Sequence, residues 1–149
     1  MTEELDRHVR LHLYESFLSV GTPPTAAETA EALAIPRNEA EEAYRRLEQG
    51  HVIVLAPGTT NVWMANPLSA VPTRFRVVTD DGRSWWGNCV WDALGILAMV
   101  GSDGMVDTSC PDCGERIELR IEDGELQPVD AVIHFAVPAA RWWENIAFT

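Results

Sequence analysis

The chain has 149 residues, 46% of them hydrophobic, and a formal net charge of −12. That is enough apolar material to bury a core, as one domain or two small ones. The negative balance repels nucleic acid and anionic membrane surfaces, no apolar run approaches the roughly 20 residues of a membrane span, and the acidic N-terminus is not a signal peptide, so a cytoplasmic protein is expected.

In chain order, Leu5, Val9, Leu13, Phe17 and Leu18 recur at helical spacing, and the run stops at Gly21-Thr22-Pro23-Pro24. Thr25 then caps a second helix with Glu28 at the capping-box position. Ile35-Pro36 breaks that helix, and Arg37 or Asn38 opens a third that runs through Gln49 and closes at Gly50. Val52–Leu55, the turn Ala56–Thr60 and Asn61–Met64 read as strand, turn, strand. Three helices and a two-stranded wing predict a winged helix-turn-helix-like region over residues 1–66. Its charges argue against DNA, because residues 1–66 hold five Arg against ten Asp and Glu. A packing or lid module is the reading preferred for it.

After Pro67–Pro72 the pattern predicts a mixed α+β core over residues 67–149, so the whole chain is read as α+β. Arg74–Val78 and Arg83–Trp86 are strands about the Asp80-Asp81-Gly82 turn. A helix follows from Cys89 to about Val100. Arg116–Glu122 is an alternating strand, Asp130–Val137 a further strand, and Pro138-Ala139-Ala140 opens a last helix reaching Thr149.

The chemistry concentrates at Trp85-Trp86-Gly87-Asn88-Cys89-Val90-Trp91-Asp92-Ala93-Leu94-Gly95. With Asn88 as N-cap, Cys89 becomes the first helical residue and shares a helix face with Asp92. The positive end of the helix dipole would favour the Cys89 thiolate. A thiolate beside a proton donor suits nucleophilic or metal chemistry, whereas a lone Cys in an apolar run also serves as an inert core residue.

Three cysteines without an export signal point to metal, catalytic or free thiols rather than a disulfide scaffold. Cys110-Pro-Asp-Cys113-Gly resembles half of a zinc ribbon, making Cys110 and Cys113 candidate metal ligands. A structural zinc needs four ligands, and Cys89 and His134 complete a set only if the fold gathers them. His134, in an apolar strand, reads more simply as a core residue, and His8, His12 and His51 as surface or helix-end residues.

Taken together, Trp86-Gly87-Asn88-Cys89-Val90-Trp91-Asp92-Ala93-Leu94, Thr108-Ser109-Cys110-Pro111-Asp112-Cys113-Gly114, and Ala136-Val137-Pro138 with Trp142-Trp143 resemble the organomercurial (alkylmercury) lyases. The resemblance extends over roughly residues 5 to 149, winged-helix-like region included. It implies protonolysis of a carbon–mercury bond, with Cys89 as a mercury-binding thiolate and Asp92 as the proton shuttle. Thiolate sulfur suits a soft metal, and an Asp92 in an apolar, Trp-lined pocket would have a raised pKa and serve as general acid. Cys110 matches a family cysteine with a structural role, and Cys113 is an additional thiol.

The resemblance further implies an organomercurial small molecule as substrate and no required cofactor. Mercury is then substrate and product ion, with small thiols or a mercuric reductase as acceptors of Hg(II). The family's second catalytic cysteine follows the segment matched by Trp142–Thr149 and has no counterpart in this chain, which reads as truncated before it. The residues alone leave two other classes open: a thiol-based metal-binding or metal-sensing module without lyase activity, and a winged-helix regulator.

Overall fold

The computed structural model describes residues 2–147. The chain divides into two compact units, one ending at Pro72 and the other beginning at Thr73.

In the first unit, α1 (Thr2–Val20), α2 (Ala26–Leu33) and α3 (Arg37–Gln49) precede three short strands, β1 (Ile53–Leu55), β2 (Val62–Ala65) and β3 (Leu68–Ser69). Val9, Leu13 and Phe17, spaced by four, put one stripe of α1 fully out of solvent. Ala40, Ala43, Tyr44 and Leu47 of α3 and Ile53 of β1 are buried in the same unit. The Thr25–Glu28 capping box forms as the sequence predicts, with Thr25 Oγ1 accepting from Glu28 N at 3.2 Å and Glu28 Oε2 accepting from Thr25 N at 2.7 Å. The fully buried Tyr44 hydroxyl donates to Pro24 O at 2.9 Å and is 2.7 Å from Thr29 Oγ1. A buried phenol thus keeps its hydrogen bonds, as burial requires. Strands β1, β2 and β3 pair antiparallel in that order, and β3 is an addition to the two-stranded wing read from sequence.

The second unit contains β4 (Arg76–Thr79), β5 (Ser84–Gly87), α4 (Val90–Val100), β6 (Gly104–Ser109), β7 (Arg116–Glu122), β8 (Glu125–Leu126) and a 3₁₀ turn at Ala139–Glu144. Its strands run antiparallel in the order β5-β4-β6-β7-β8. The register aligns Trp85 with Val77, Val77 with Val106, and Val106 with Leu119. All four are buried, so they form one apolar row across four strands. Helix α4 packs on β5, β4 and β6 and contributes the buried Ala93, Ile96 and Leu97.

Three sequence expectations need correction. Strand β6, absent from the strands expected above, is the central partner of β4 and β7. The expected strand over Asp130–Val137 is irregular and mostly exposed, with Val132 at 92% exposure. Pro128 cannot donate a ladder hydrogen bond just past the two-residue β8, so alternation there finds no strand to pair with. The final helix is a short 3₁₀ turn, and its expected end at Phe148 and Thr149 lies outside the described residues. Among those residues, no helix is long and apolar enough to cross a membrane.

Ile96, a fully buried residue of α4, offers the simplest check of this packing. Ile96→Ala should lower unfolding free energy by about 2–5 kcal/mol in a urea titration. A loss below about 1 kcal/mol would mean that α4 is not seated on the sheet as described.

Candidate functional site

The start of α4 is held by close backbone approach to β5. A Cβ placed on Gly87 would meet the N, Cα and Cβ of Ala93 at 2.8 Å, so only glycine lets the first turn of α4 settle there. The strand end before it is fastened too: Gly87 N donates to Phe75 O at 2.9 Å, and Thr73 Oγ1 donates to Gly87 O at 2.6 Å. Thr73 as an anchor was not visible in the sequence, because its partner lies fourteen residues away.

Two residues beyond Gly87, Cys89 is itself the N-cap of α4, in extended conformation. This corrects the expectation that Asn88 caps and Cys89 is helical. The Cys89 sulfur accepts a hydrogen bond from Asp92 N at 3.4 Å. The thiol in turn hydrogen-bonds the Asp92 carboxylate, which also receives the Asn88 side chain. Sulfur thus takes the capping place that a Ser or Thr oxygen usually fills. Asn88 is therefore a carboxylate donor rather than the cap.

The electrostatics reverse one expectation. Both side chains are half-buried. Desolvation, aided by the nearby Asp92 carboxylate, pushes the Cys89 thiol up to about 11, against the lowering effect of the Asp92 N–H. Burial also raises the Asp92 pKa, with the Cys89 and Asn88 hydrogen bonds pulling the other way. Cys89 thus rests as a thiol donating to a carboxylate, not as the free thiolate the helix dipole alone would favour.

The aromatic surroundings also differ from a closed Trp pocket. Trp85 is buried, but Trp91 is 57% exposed and meets Phe135 edge-on at 6.4 Å between ring centroids. Phe135 packs on Trp142 at 5.4 Å, and Trp142 Nε1 donates to Val137 O at 2.7 Å. Phe135 was not singled out in the sequence, since it lay in a segment read as a strand. A groove of about 360 Å³ in this unit lies at the other end of α4, lined by Leu97, Gly101, Asp103 and Gly124 among others, and Cys89 is not part of it.

Cys110 and Cys113 come together in the loop after β6, Cys110 half-buried and Cys113 exposed. Hydrogen bonds from the Cys113 and Asp112 N–H groups and from the Cys113 thiol lower the Cys110 pKa. His134 is exposed rather than in the core, because the strand expected to bury it does not form. His8 and His51 are exposed and His12 is half-buried on α1. Among the described residues, no group of three or more His, Cys, Asp or Glu could hold a metal ion, so the fold does not gather Cys89 and His134 about the Cys110–Cys113 pair, the condition that a four-ligand zinc would set.

Because burial and the Asp92 charge both oppose ionisation, alkylation of Cys89 should accelerate through pH 9 toward a midpoint near 11. Iodoacetamide kinetics in a Cys110→Ser/Cys113→Ser background would follow it, and Asp92→Asn should move the midpoint down. A midpoint below the usual thiol value would contradict the desolvated pair.

Comparison with known proteins supplies the context for this geometry. A family model described as MerB, alkylmercury lyase, matches residues 68–149. A search of curated proteins gives no match. Among solved structures, the crystal structure of the mercury-bound form of MerB2 is similar in fold, with a TM-score of 0.64 at 20% sequence identity. The similarity covers 85% of this chain and 64% of that one, so the chain spans less than two thirds of the length of that structure.

Proposed function

The chain belongs to the alkylmercury lyase family, and from that premise we propose that it cleaves carbon–mercury bonds by protonolysis at Cys89 and Asp92. The observation that carries the reading is the Cys89 thiol hydrogen-bonded to the Asp92 carboxylate at the N-terminus of α4.

The steps follow from that contact. An organomercurial R–Hg–X exchanges X⁻ for the Cys89 sulfur, and the thiol proton passes to the Asp92 carboxylate it already faces. Capture of the soft metal therefore loads the acid in the same event. Sulfur coordinated to mercury then weakens the Hg–C bond. Asp92 returns its proton to the leaving carbon, which departs as R–H and leaves Hg(II) on Cys89. The raised pKa of Asp92 makes its carboxylic acid easier to hold until transfer.

A second sulfur is needed to complete the coordination of Hg(II). A small thiol from solution supplies it in this scheme and carries the ion away, to a mercuric reductase or another thiol acceptor. The intracellular thiol pool this calls for agrees with a cytoplasmic setting.

The alternative of a thiol-based metal-binding module shares the capture step and differs only in the proton transfer. For the first unit we keep a winged-helix-like packing or lid role rather than DNA binding. Arg37, Arg45 and Arg46 of α3 pair with Glu41, Asp6 and Glu42, which leaves few free charges to meet phosphate.

Hydrocarbon release from an arylmercury compound with excess small thiol separates the readings. The parent chain should release the arene, and Asp92→Asn should slow release by about 10²–10⁴-fold, the usual worth of a positioned acid, while retaining mercury binding. Mercury binding without arene release from the parent would assign the chain to the binding-module class.

A further inference from the structure

The loop between β6 and β7 carries a thiol pair that protonolysis at Cys89 does not use. The two strands stay in register from Gly104 opposite Ile121 to Ser109 opposite Arg116. Beyond that, Cys110 N donates to Glu115 O at 2.8 Å and Gly114 N donates to Cys110 O at 2.9 Å, which closes the turn. Gly114 makes the turn with φ +75°, a conformation that other L-residues rarely adopt. At the stem, the Arg74 guanidinium donates to Ser109 O at 3.1 Å and Ser109 Oγ at 3.2 Å.

This scaffold sets two sulfurs in hydrogen-bond contact. Backbone N–H groups of Asp112 and Cys113 point at the Cys110 sulfur, and the Cys113 thiol donates to it. Cys113 is exposed, so the pair is open to an incoming ion. Tetrahedral zinc would need two more protein ligands, and among the described residues no group of three candidate ligands exists. Two sulfurs alone match a soft ion content with two ligands, and soft thiolates select such ions.

We propose that Cys110 and Cys113 form a second soft-metal site, a bis-thiolate clasp for Hg(II) distinct from Cys89. The clasp loads by ligand exchange from Hg(SR)₂. Two Hg–S bonds to the small thiols break, two to Cys110 and Cys113 form, and the two cysteine protons leave on the released RSH molecules. No oxidant or reductant takes part. Because both cysteines lie on one short loop, the second Hg–S bond forms at high effective concentration, which lets the pair compete with monothiols in excess. The site is independent of whether Cys89 and Asp92 cleave a carbon–mercury bond.

The test uses the full reduced chain and inorganic Hg(II), presented as its complex with excess glutathione and counted by native mass spectrometry. Cys89→Ser should retain one Hg(II) per chain, and Cys89→Ser/Cys113→Ser should fall to roughly a tenth of that occupancy or less once the chelate is lost. Circular dichroism of the double variant should match Cys89→Ser, since Cys113 is an exposed loop residue. Failure of Cys89→Ser to hold mercury, or equal occupancy with and without Cys113, would overturn the clasp. One equivalent of zinc surviving a chelator wash at this loop would overturn its two-ligand character.

Discussion

The arrangement of this protein's chemistry depends on how closely α4 can lie on its sheet. The row Trp85, Val77, Val106 and Leu119 gives four strands one apolar surface, and α4, with its buried Ala93, Ile96 and Leu97, packs on β5, β4 and β6 of it. Two residues along β5 from Trp85, Gly87 removes the Cβ that would collide with Ala93. The chain then has only two residues between the strand and the helix, which puts Cys89 in the cap position and Asp92 three residues on. A buried apolar layer, not a local motif alone, fixes a thiol against a carboxylate.

Once there, two influences on the thiol compete. A helix N-terminus favours an anion by about 0.3–1 kcal/mol, less than one pH unit of pKa at roughly 1.4 kcal/mol per unit. Desolvation and the neighbouring carboxylate outweigh it and carry the Cys89 thiol from 9.0 to about 11. The outcome suits the proposed reaction better than a ready thiolate would. A free thiolate would have given its proton to water before mercury arrived, whereas a thiol donating to Asp92 keeps that proton beside the carbon that needs it. Cys110 shows the opposite balance: the N–H groups of Cys113 and Asp112 and the Cys113 thiol lower its pKa, outweighing the smaller opposing effect of desolvation. The two cysteines thus differ by environment, one guarding a proton and the other disposed to yield it.

Much of the fold could be read from the residues because its signals were local. Thr25 with Glu28, the four-residue spacing of Val9, Leu13 and Phe17, and the Pro36 and Gly50 boundaries each act within a few positions, and the helices fall where those signals put them. The α+β class and the Cys89–Asp92 spacing were legible for the same reason. What escaped were features set by distant partners. Strand β6 is recognisable only beside β4 and β7, and the Asp130–Val137 alternation could not reveal that no strand would pair with it. The protonation of Cys89 likewise depends on burial by the folded unit, which the dipole argument left out. His134 followed the fate of its segment and is exposed.

The central claim is that mercury capture by Cys89 delivers its proton to Asp92. Difference infrared spectroscopy of the Cys110→Ser/Cys113→Ser chain, recorded as an organomercurial binds and before turnover, tests it most directly. The account predicts a new carboxylic acid carbonyl band that shifts in D₂O and is absent in the Asp92→Asn variant. Mercuration with no such band, and with the proton released to bulk solvent, would contradict it.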